Sequence, residues 1–194
     1  MKILFVNACI SANNPSRTKR LCEKCLERLA ADKSAELEEI DLSQSGIQPF
    51  TEEKVEKRMK LAAKKDFSDE MFLYAKQFKS ADLVVIGAPY WDLSFPSLLK
   101  VYIENIMVTD LTFTCTETGF KGLCGAKELV YITTAGGYIG NRNFGYEYIR
   151  EAAHMLGIGK TSFFYADGLD IYGNNPDDIM ARAIDTIENS LGEN

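Results

Sequence analysis

Histidine is nearly missing from this chain, with one residue, His154, among 194. A zinc centre of the usual kind draws on several imidazole and thiolate ligands, so no metal is expected. His154 lies mid-helix, four residues from Arg150, and reads as a structural or surface group. Cations are outnumbered: 22 Lys and Arg face 28 Asp and Glu, for a net charge of −6 and a pI near 5.0. That balance argues against nucleic acid or an anionic membrane as the main partner, since both need a basic face. No apolar run approaches the roughly 20 residues that cross a bilayer. The start, Met1-Lys2-Ile3-Leu4-Phe5-Val6, is too short for a signal peptide and leads directly into a strand, so a cytoplasmic location is expected. The five cysteines, Cys9, Cys22, Cys25, Cys115 and Cys124, are odd in number and scattered, which is not a disulfide framework. Cys22 and Cys25 make a C-x-x-C pair, but inside an apparent helix over 18–31. A redox pair normally sits just after a strand, where a helix N-terminus lowers the thiol pKa. Also missing are a G-x-G-x-x-G after the first strand and a P-loop lysine pattern, which disfavours a nucleoside triphosphate or a Rossmann-bound dinucleotide.

What the chain does have is regular alternation of strand and helix. Residues 2–8, 81–87 and 128–134 are largely apolar, as strands buried on both faces of a parallel sheet are, and residues 160–166 read as a fifth strand. Residues 35–42 form a weaker, more acidic strand suited to a sheet edge. Helices are read over 18–31, 52–65, 68–79 (capped by Ser68), 97–107, 146–156 (ended by Gly157) and 177–191 (headed by Asn175 and Pro176). Residues 108–126 depart from the pattern as a short hairpin, with strands near 111–116 and 120–123. With no repeat or linker, the length suits one domain over 1–194. The fold class is α/β: a three-layer sandwich with a five-stranded parallel sheet in the order 2-1-3-4-5.

Ligands of open α/β sheets bind beyond the carboxyl ends of the strands. Three loops should meet there. The first, 9–18, carries Ser11, Ser16, Arg17 and Thr18 ahead of a helix N-terminus, and free N–H groups with short hydroxyls suit one phosphate. Ser16 as a plain cap and Arg17 as a solvated charge is the simpler alternative. The second loop, Ala88-Pro89-Tyr90-Trp91-Asp92-Leu93-Ser94-Phe95-Pro96, is stiff and aromatic. Its rings can wall a flat heterocycle or pack into the core. The third, Thr134-Ala135-Gly136-Gly137-Tyr138, permits close backbone approach, with Tyr138 as lid, second wall or proton donor.

A phosphate pocket beside a planar-ring pocket, without metal ligands, fits flavin mononucleotide. The sequence resembles the flavodoxin-like FMN oxidoreductases, in particular the FMN-dependent NADH-azoreductase and NAD(P)H quinone dehydrogenase family, over nearly its whole length. The stretch from Ala88 to Lys100 is similar to the family's Ala-Pro-Met-Tyr-Asn-Phe with x-x-Pro-x-x-Leu-Lys behind it. Leu111-Thr112-Phe113 and Thr116-Glu117-Thr118-Gly119 resemble its Thr-Phe…Thr-Glu-x-Gly hairpin. Gly122-Leu123 and Gly125-Ala126-Lys127 resemble Gly-Leu…Gly-Lys-Lys. Leu156-Gly157-Ile158-Gly159 and Ala166-Asp167-Gly168 resemble Leu-Gly-Phe-x-Gly and Ala-Glu-Gly.

The resemblance implies that Ser11, Ser16, Arg17 and Thr18 hold the FMN phosphate. It implies that Pro89, Tyr90, Trp91, Asp92 and Leu93 hold the isoalloxazine, and that Thr134, Ala135, Gly136, Gly137 and Tyr138 contact its other edge. It also implies NADH or NADPH as donor, a quinone, azo or nitroaromatic acceptor, a ping-pong exchange at one place, and a homodimer to which helix 97–107 contributes. Three residues depart from the family pattern: Cys9 stands in place of a serine, Asp92 in place of an asparagine, and Ala135 in place of an arginine or threonine. A flavodoxin-type electron carrier and a flavin-dependent redox sensor remain the alternatives.

Overall fold

The computed structural model describes residues 1–10, 16–31 and 35–191. Its elements run β1 (Lys2–Asn7), α1 (Arg17–Leu29), β2 (Glu36–Asp41), α2 (Glu52–Ala63), α3 (Leu73–Ser80), β3 (Leu83–Gly87), α4 (Ser97–Ile106), β4 (Phe113–Thr116), β5 (Gly119–Gly122), β6 (Glu128–Thr134), α5 (Phe144–Met155), β7 (Lys160–Ala166) and α6 (Pro176–Ser190). Five strands pair in parallel in the order β2-β1-β3-β6-β7, while β4 and β5 form a separate antiparallel hairpin. The order expected from sequence is the one observed.

Alternate side chains of the strands enter opposite layers, as the two-residue period of a strand requires. Leu4, Val6, Val84, Ile86, Leu129 and Tyr131 pack with Phe78, Leu99, Ile103 and Ile149 from α3, α4 and α5. Ile3, Phe5, Val85, Val130 and Ile132 pack with Leu21, Cys22, Cys25, Met180 and Ile187 from α1 and α6. Both faces of the sheet are therefore covered. β2 buries only Ile40 among its six residues, as an edge strand does.

Local chemistry explains the boundaries. Asn175 caps α6, accepting from the Asp177 N–H at 3.0 Å, and Pro176 takes the first helical position, where no N–H is needed. α5 begins earlier than expected, at Phe144, because Asn143 caps it. It ends at Gly157, whose φ of +95° lies in the left-handed region. The helix expected over 68–79 splits into a 3-10 turn, Glu70–Phe72, and α3. Asp69, rather than Ser68, makes the cap, accepting from the Met71 N–H at 3.0 Å, while the Ser68 hydroxyl is spent on Asp66. α2 buries no residue of its own. It is held by Arg58, whose guanidinium donates to the Glu104 and Met107 carbonyls at the end of α4 and lies over the Phe50 ring.

Candidate active site

The carboxyl ends of β1, β3, β6 and β7 share one rim of the sheet, and their loops continue the ladder beyond it. The Ala8 N–H donates to the Gly87 carbonyl at 2.8 Å, Ala88 to Ile132 at 3.0 Å, Tyr90 to Thr134 at 3.0 Å and Ala135 to Ala166 at 2.9 Å. Backbone pairing, rather than side-chain packing, thus sets how far each loop stands from its neighbour.

At one side of this rim α1 begins. Ser16 is its N-cap, accepting from the Lys19 N–H at 3.3 Å, and the Ser16 carbonyl accepts from Arg20 at 3.1 Å. The N–H groups of Arg17 and Thr18 are left without an acceptor among the described residues, as first-turn groups are. Glu52 and Glu53 open α2, and Asp177 and Asp178 open α6, whereas the first turn of α1 carries no acid and presents Arg17, Lys19 and Arg20. No acid of the helix's own first turn therefore offsets the positive end of its dipole. Thr18 is buried, and its hydroxyl meets that of Thr134 at 2.6 Å, which ties this helix to the end of β6. Ser11 lies outside the described residues.

The aromatic loop forms a tight turn. The Trp91 N–H donates to Ser94 at 3.2 Å and the Ser94 N–H returns to Trp91 at 2.8 Å, with Asp92 at φ +49° and Leu93 at φ +69° between them. Two consecutive left-handed residues make the primed turn normally given to Asn-Gly. For Leu93 that conformation costs roughly 1–2 kcal/mol. The strain has a use: it leaves the Asp92 and Leu93 N–H groups without acceptors among the described residues, beside the half-exposed Trp91 and Leu93 side chains. The Trp91 N–H, grouped with them on sequence, is consumed by the turn. The Tyr90 hydroxyl donates to the Arg142 carbonyl at 2.8 Å, which binds this loop to the third. Pro89 sits between the two ladder bonds of Ala88 and Tyr90.

The third loop is supported from behind by a fourth. Leu169, Asp170 and Gly168 donate to the carbonyls of Ala135, Gly136 and Gly137 at 3.2, 2.9 and 2.9 Å, and the Asp167 carboxylate accepts from the Ile139 N–H at 2.9 Å. The carbonyls of 135–137 thus point into the protein. A side chain on Gly137 would meet nothing within 4 Å, so that backbone is open to approach. A β-carbon on Gly136 would lie 2.4 Å from Asp170 Oδ2, so a side chain there would displace that carboxylate from its present position. Asp170 also takes the Arg17 guanidinium at 2.7 Å and so joins the start of α1 to the third loop. The exposed Tyr138 ring receives a hydrogen bond at its hydroxyl from Asn174 at 3.2 Å.

The structure therefore brings Ser16, Arg17, Thr18, Pro89, Tyr90, Trp91, Asp92, Leu93, Thr134, Ala135, Gly136, Gly137 and Tyr138 to one rim. Sequence reasoning missed the fourth loop, with Asp167, Asp170 and Asn174. The parallel order was the available signal, since the carboxyl end of β7 had to reach the same rim. A cleft of about 650 Å³ runs along β7 against α6, lined by Phe163, Tyr165, Asp178 and Arg182. It touches the rim through Tyr138, Asp167 and Asn174 and has no wall from the aromatic loop. No group of metal-ligating residues occurs among the described residues. His154 is exposed in the last turn of α5 and takes no part.

The family described as having a flavodoxin-like fold matches residues 1–191. The chain is 34% identical to the FMN-dependent NADH:quinone oxidoreductase 2 of Clostridium acetobutylicum, over 99% of this chain and 98% of that one. It is 34% identical to the FMN-dependent NADH:quinone oxidoreductase of Coprothermobacter proteolyticus, over 96% and 94%. Among solved structures, an azoreductase from Bacillus anthracis strain Sterne superposes with a TM-score of 0.87 at 21% identity, covering 100% of both chains. An FMN-dependent NADH-azoreductase from Bacillus anthracis strain Ames Ancestor, in complex with FMN, superposes at 0.85 with 24% identity over 98% and 97%. The two structures share the fold.

Proposed function

Because this chain belongs to the flavodoxin-like family that includes the FMN-dependent NADH:quinone oxidoreductases, we propose that it is itself an FMN-dependent NAD(P)H oxidoreductase. The observation that carries the reading is the pairing of two unlike donor sets on one rim. At one side stands a helix N-terminus with no acid in its own first turn and with hydroxyls, suited to a phosphate. At the other, backbone N–H groups lie beside aromatic and glycine surfaces, suited to a flat heterocycle.

FMN, when bound, supplies the hydride-transfer chemistry. The chain's own residues bind and orient it. With FMN bound, the Arg17 and Thr18 N–H groups and the Ser16 hydroxyl would hold the phosphate, with the buried Thr18 hydroxyl fixing that turn through Thr134. Tyr90 and Trp91 would flank the ring, the Asp92 and Leu93 N–H groups would donate to one edge, and Gly136, Gly137 and Tyr138 would cover the other. N–H groups so placed would favour a ring bearing negative charge, while the Asp92 carboxylate would oppose it. The Tyr138 hydroxyl accepts from Asn174 and keeps its own proton available to an acceptor. A nicotinamide donor, NADH or NADPH, occupies the place between Trp91 and Tyr138 and leaves. A quinone, azo or nitroaromatic acceptor then takes the same place, in a ping-pong sequence.

The exposed Trp91, Leu93, Tyr138 and Phe144 around this rim support a homodimer that covers it. α4 turns Leu99, Tyr102, Ile103 and Ile106 into its own core, so its contribution to a partner comes from the Leu98 and Val101 side.

The test is a visible spectrum of the purified protein with FMN, followed anaerobically by NADH and then NADPH. A flavin spectrum bleached within seconds and restored by a quinone establishes the oxidoreductase and names the donor. A yellow protein that neither nucleotide bleaches refutes it in favour of a carrier or sensor. A protein that binds no FMN refutes the reading of the rim.

A further inference from the structure

The C-x-x-C pair in α1 points to the wrong partner. Cys25 faces the core one turn further along, among Ile3, Leu26 and Ile187. Cys22 instead faces the end of β1, where Cys9 follows Asn7 and donates its N–H to the Asn7 Oδ1 at 3.0 Å. The two thiols share one notch. A β-carbon on Gly87, which pairs with Asn7 across the sheet, would lie 2.3 Å from the Cys22 sulfur and 3.1 Å from the Cys9 sulfur. The missing side chain at 87 is what lets both sulfurs occupy that space.

We propose that Cys9 and Cys22 are a redox-modification site that closes a reversible disulfide on reaction with hydrogen peroxide. Exposure orders the steps. Cys9 is half-buried and meets the oxidant, while Cys22 is fully buried and does not. The Cys9 thiol gives up its proton, its sulfur attacks hydrogen peroxide, the O–O bond breaks, and Cys9 becomes a sulfenic acid as the departing hydroxide takes that proton and leaves as the first water. The Cys22 sulfur then attacks the Cys9 sulfur. The S–O bond breaks, and the departing hydroxide takes the Cys22 proton as the second water. Two thiols and one peroxide yield one disulfide and two waters. Burial, and secondarily the Cys9 thiol beside it, push the Cys22 thiol pKa up, so Cys22 keeps its proton until this step and acts as the resolving partner.

The bond closes a ring over residues 9–22, which contains Ser11, Ser16, Arg17 and Thr18. Resting on the function proposed above, the bond ties the segment that holds the phosphate to the geometry of the disulfide, and oxidation therefore weakens FMN binding by about fivefold, the equivalent of one hydrogen bond.

The experiment treats reduced full-length protein with hydrogen peroxide, blocks remaining thiols, and digests with trypsin without reductant. The expected product is peptide 3–17 joined to peptide 21–24, lighter than their sum by two hydrogens and separated again by dithiothreitol. Cys25→Ala leaves this species in place, whereas Cys9→Ser removes it. Peptide 3–17 joined to 25–28, or Cys9 recovered as a sulfinic acid with Cys22 alkylated, overturns the proposal. FMN titration of the oxidised and reduced forms tests the consequence separately. Equal affinities refute the coupling of the disulfide to FMN binding, and a protein that binds no FMN in either state refutes the function proposed above while the peptide map still decides the disulfide.

Discussion

Replacing Gly122 by alanine tests how the hairpin is fixed to the body of the protein. Gly122 ends β5 against the C-terminus of α5, and a β-carbon there would lie 2.0 Å from the Gly157 nitrogen, 2.1 Å from the Leu156 carbonyl carbon and 2.3 Å from the Gly157 α-carbon. All three neighbours are backbone, so no rotamer change relieves the contact. Restoring an ordinary separation of about 3.4 Å needs a shift of about 1.4 Å between β5 and α5. Gly157 holds a left-handed φ, and the Leu156 carbonyl accepts from the Cys124 N–H at 3.2 Å, so neither side yields freely. Overpacking of this kind costs about 3 kcal/mol, the upper end of the usual range. For a chain of this size the melting temperature falls by about 6–12 °C. Gly159→Ala is the control, because a β-carbon there meets nothing within 4 Å and its φ is not left-handed. Its expected effect is neutral to about 1 kcal/mol stabilising. Urea unfolding reads both variants through midpoint and slope. Hydrogen exchange at 113–122 shows whether Gly122→Ala destabilises the whole fold or only releases the hairpin. Equal midpoints for the two variants would refute the reasoning.

Two further outcomes follow from buried groups. Burial pushes the Cys25 thiol up to about 12. An unfolded thiol ionises near about 8.5, so below that pH both states hold the proton and stability is complete; above it the unfolded chain releases the proton first, and stability falls by up to about 1.4 kcal/mol per pH unit until the folded thiol also ionises. Urea midpoints from pH 8 to 10 should fall, less steeply in Cys25→Ala, and an identical slope in the variant would rule this cause out. Thr18→Val and Thr134→Val each leave the other buried hydroxyl without its 2.6 Å partner and should each cost about 1–2 kcal/mol. The double variant should cost less than the sum in a denaturation cycle, and strict additivity would show that the contact contributes nothing.

The inner strands were legible because a sheet covered on both faces demands apolar runs, and 128–134 appears with the bounds expected, as does the more polar edge strand 160–166. The parallel order followed from the alternation with helices. Three features were not legible, for different reasons. The choice between Ser68 and Asp69 as a cap turns on where the Ser68 hydroxyl goes, and its partner Asp66 competes at short range. The Asp92-Leu93 turn lacks the glycine that announces a primed turn, so its strain, and its use of the Trp91 N–H, show only in the backbone. The fourth loop and the Cys9–Cys22 pair depend on contacts between segments far apart in sequence. A local C-x-x-C spacing therefore drew attention to Cys25, whose side chain faces the core.

Gly136 and Asp170 make a single unit of variation. The carboxylate at 170 fills the volume a side chain at 136 would need, and it holds Arg17 from there. A substitution at 136 alone evicts an anion and frees a cation at the mouth of the rim, so its effect is electrostatic as well as steric. A mutational library that varies the two positions together, with a small neutral residue admitted at 170 whenever 136 gains a side chain, will find active combinations that one-at-a-time scanning discards.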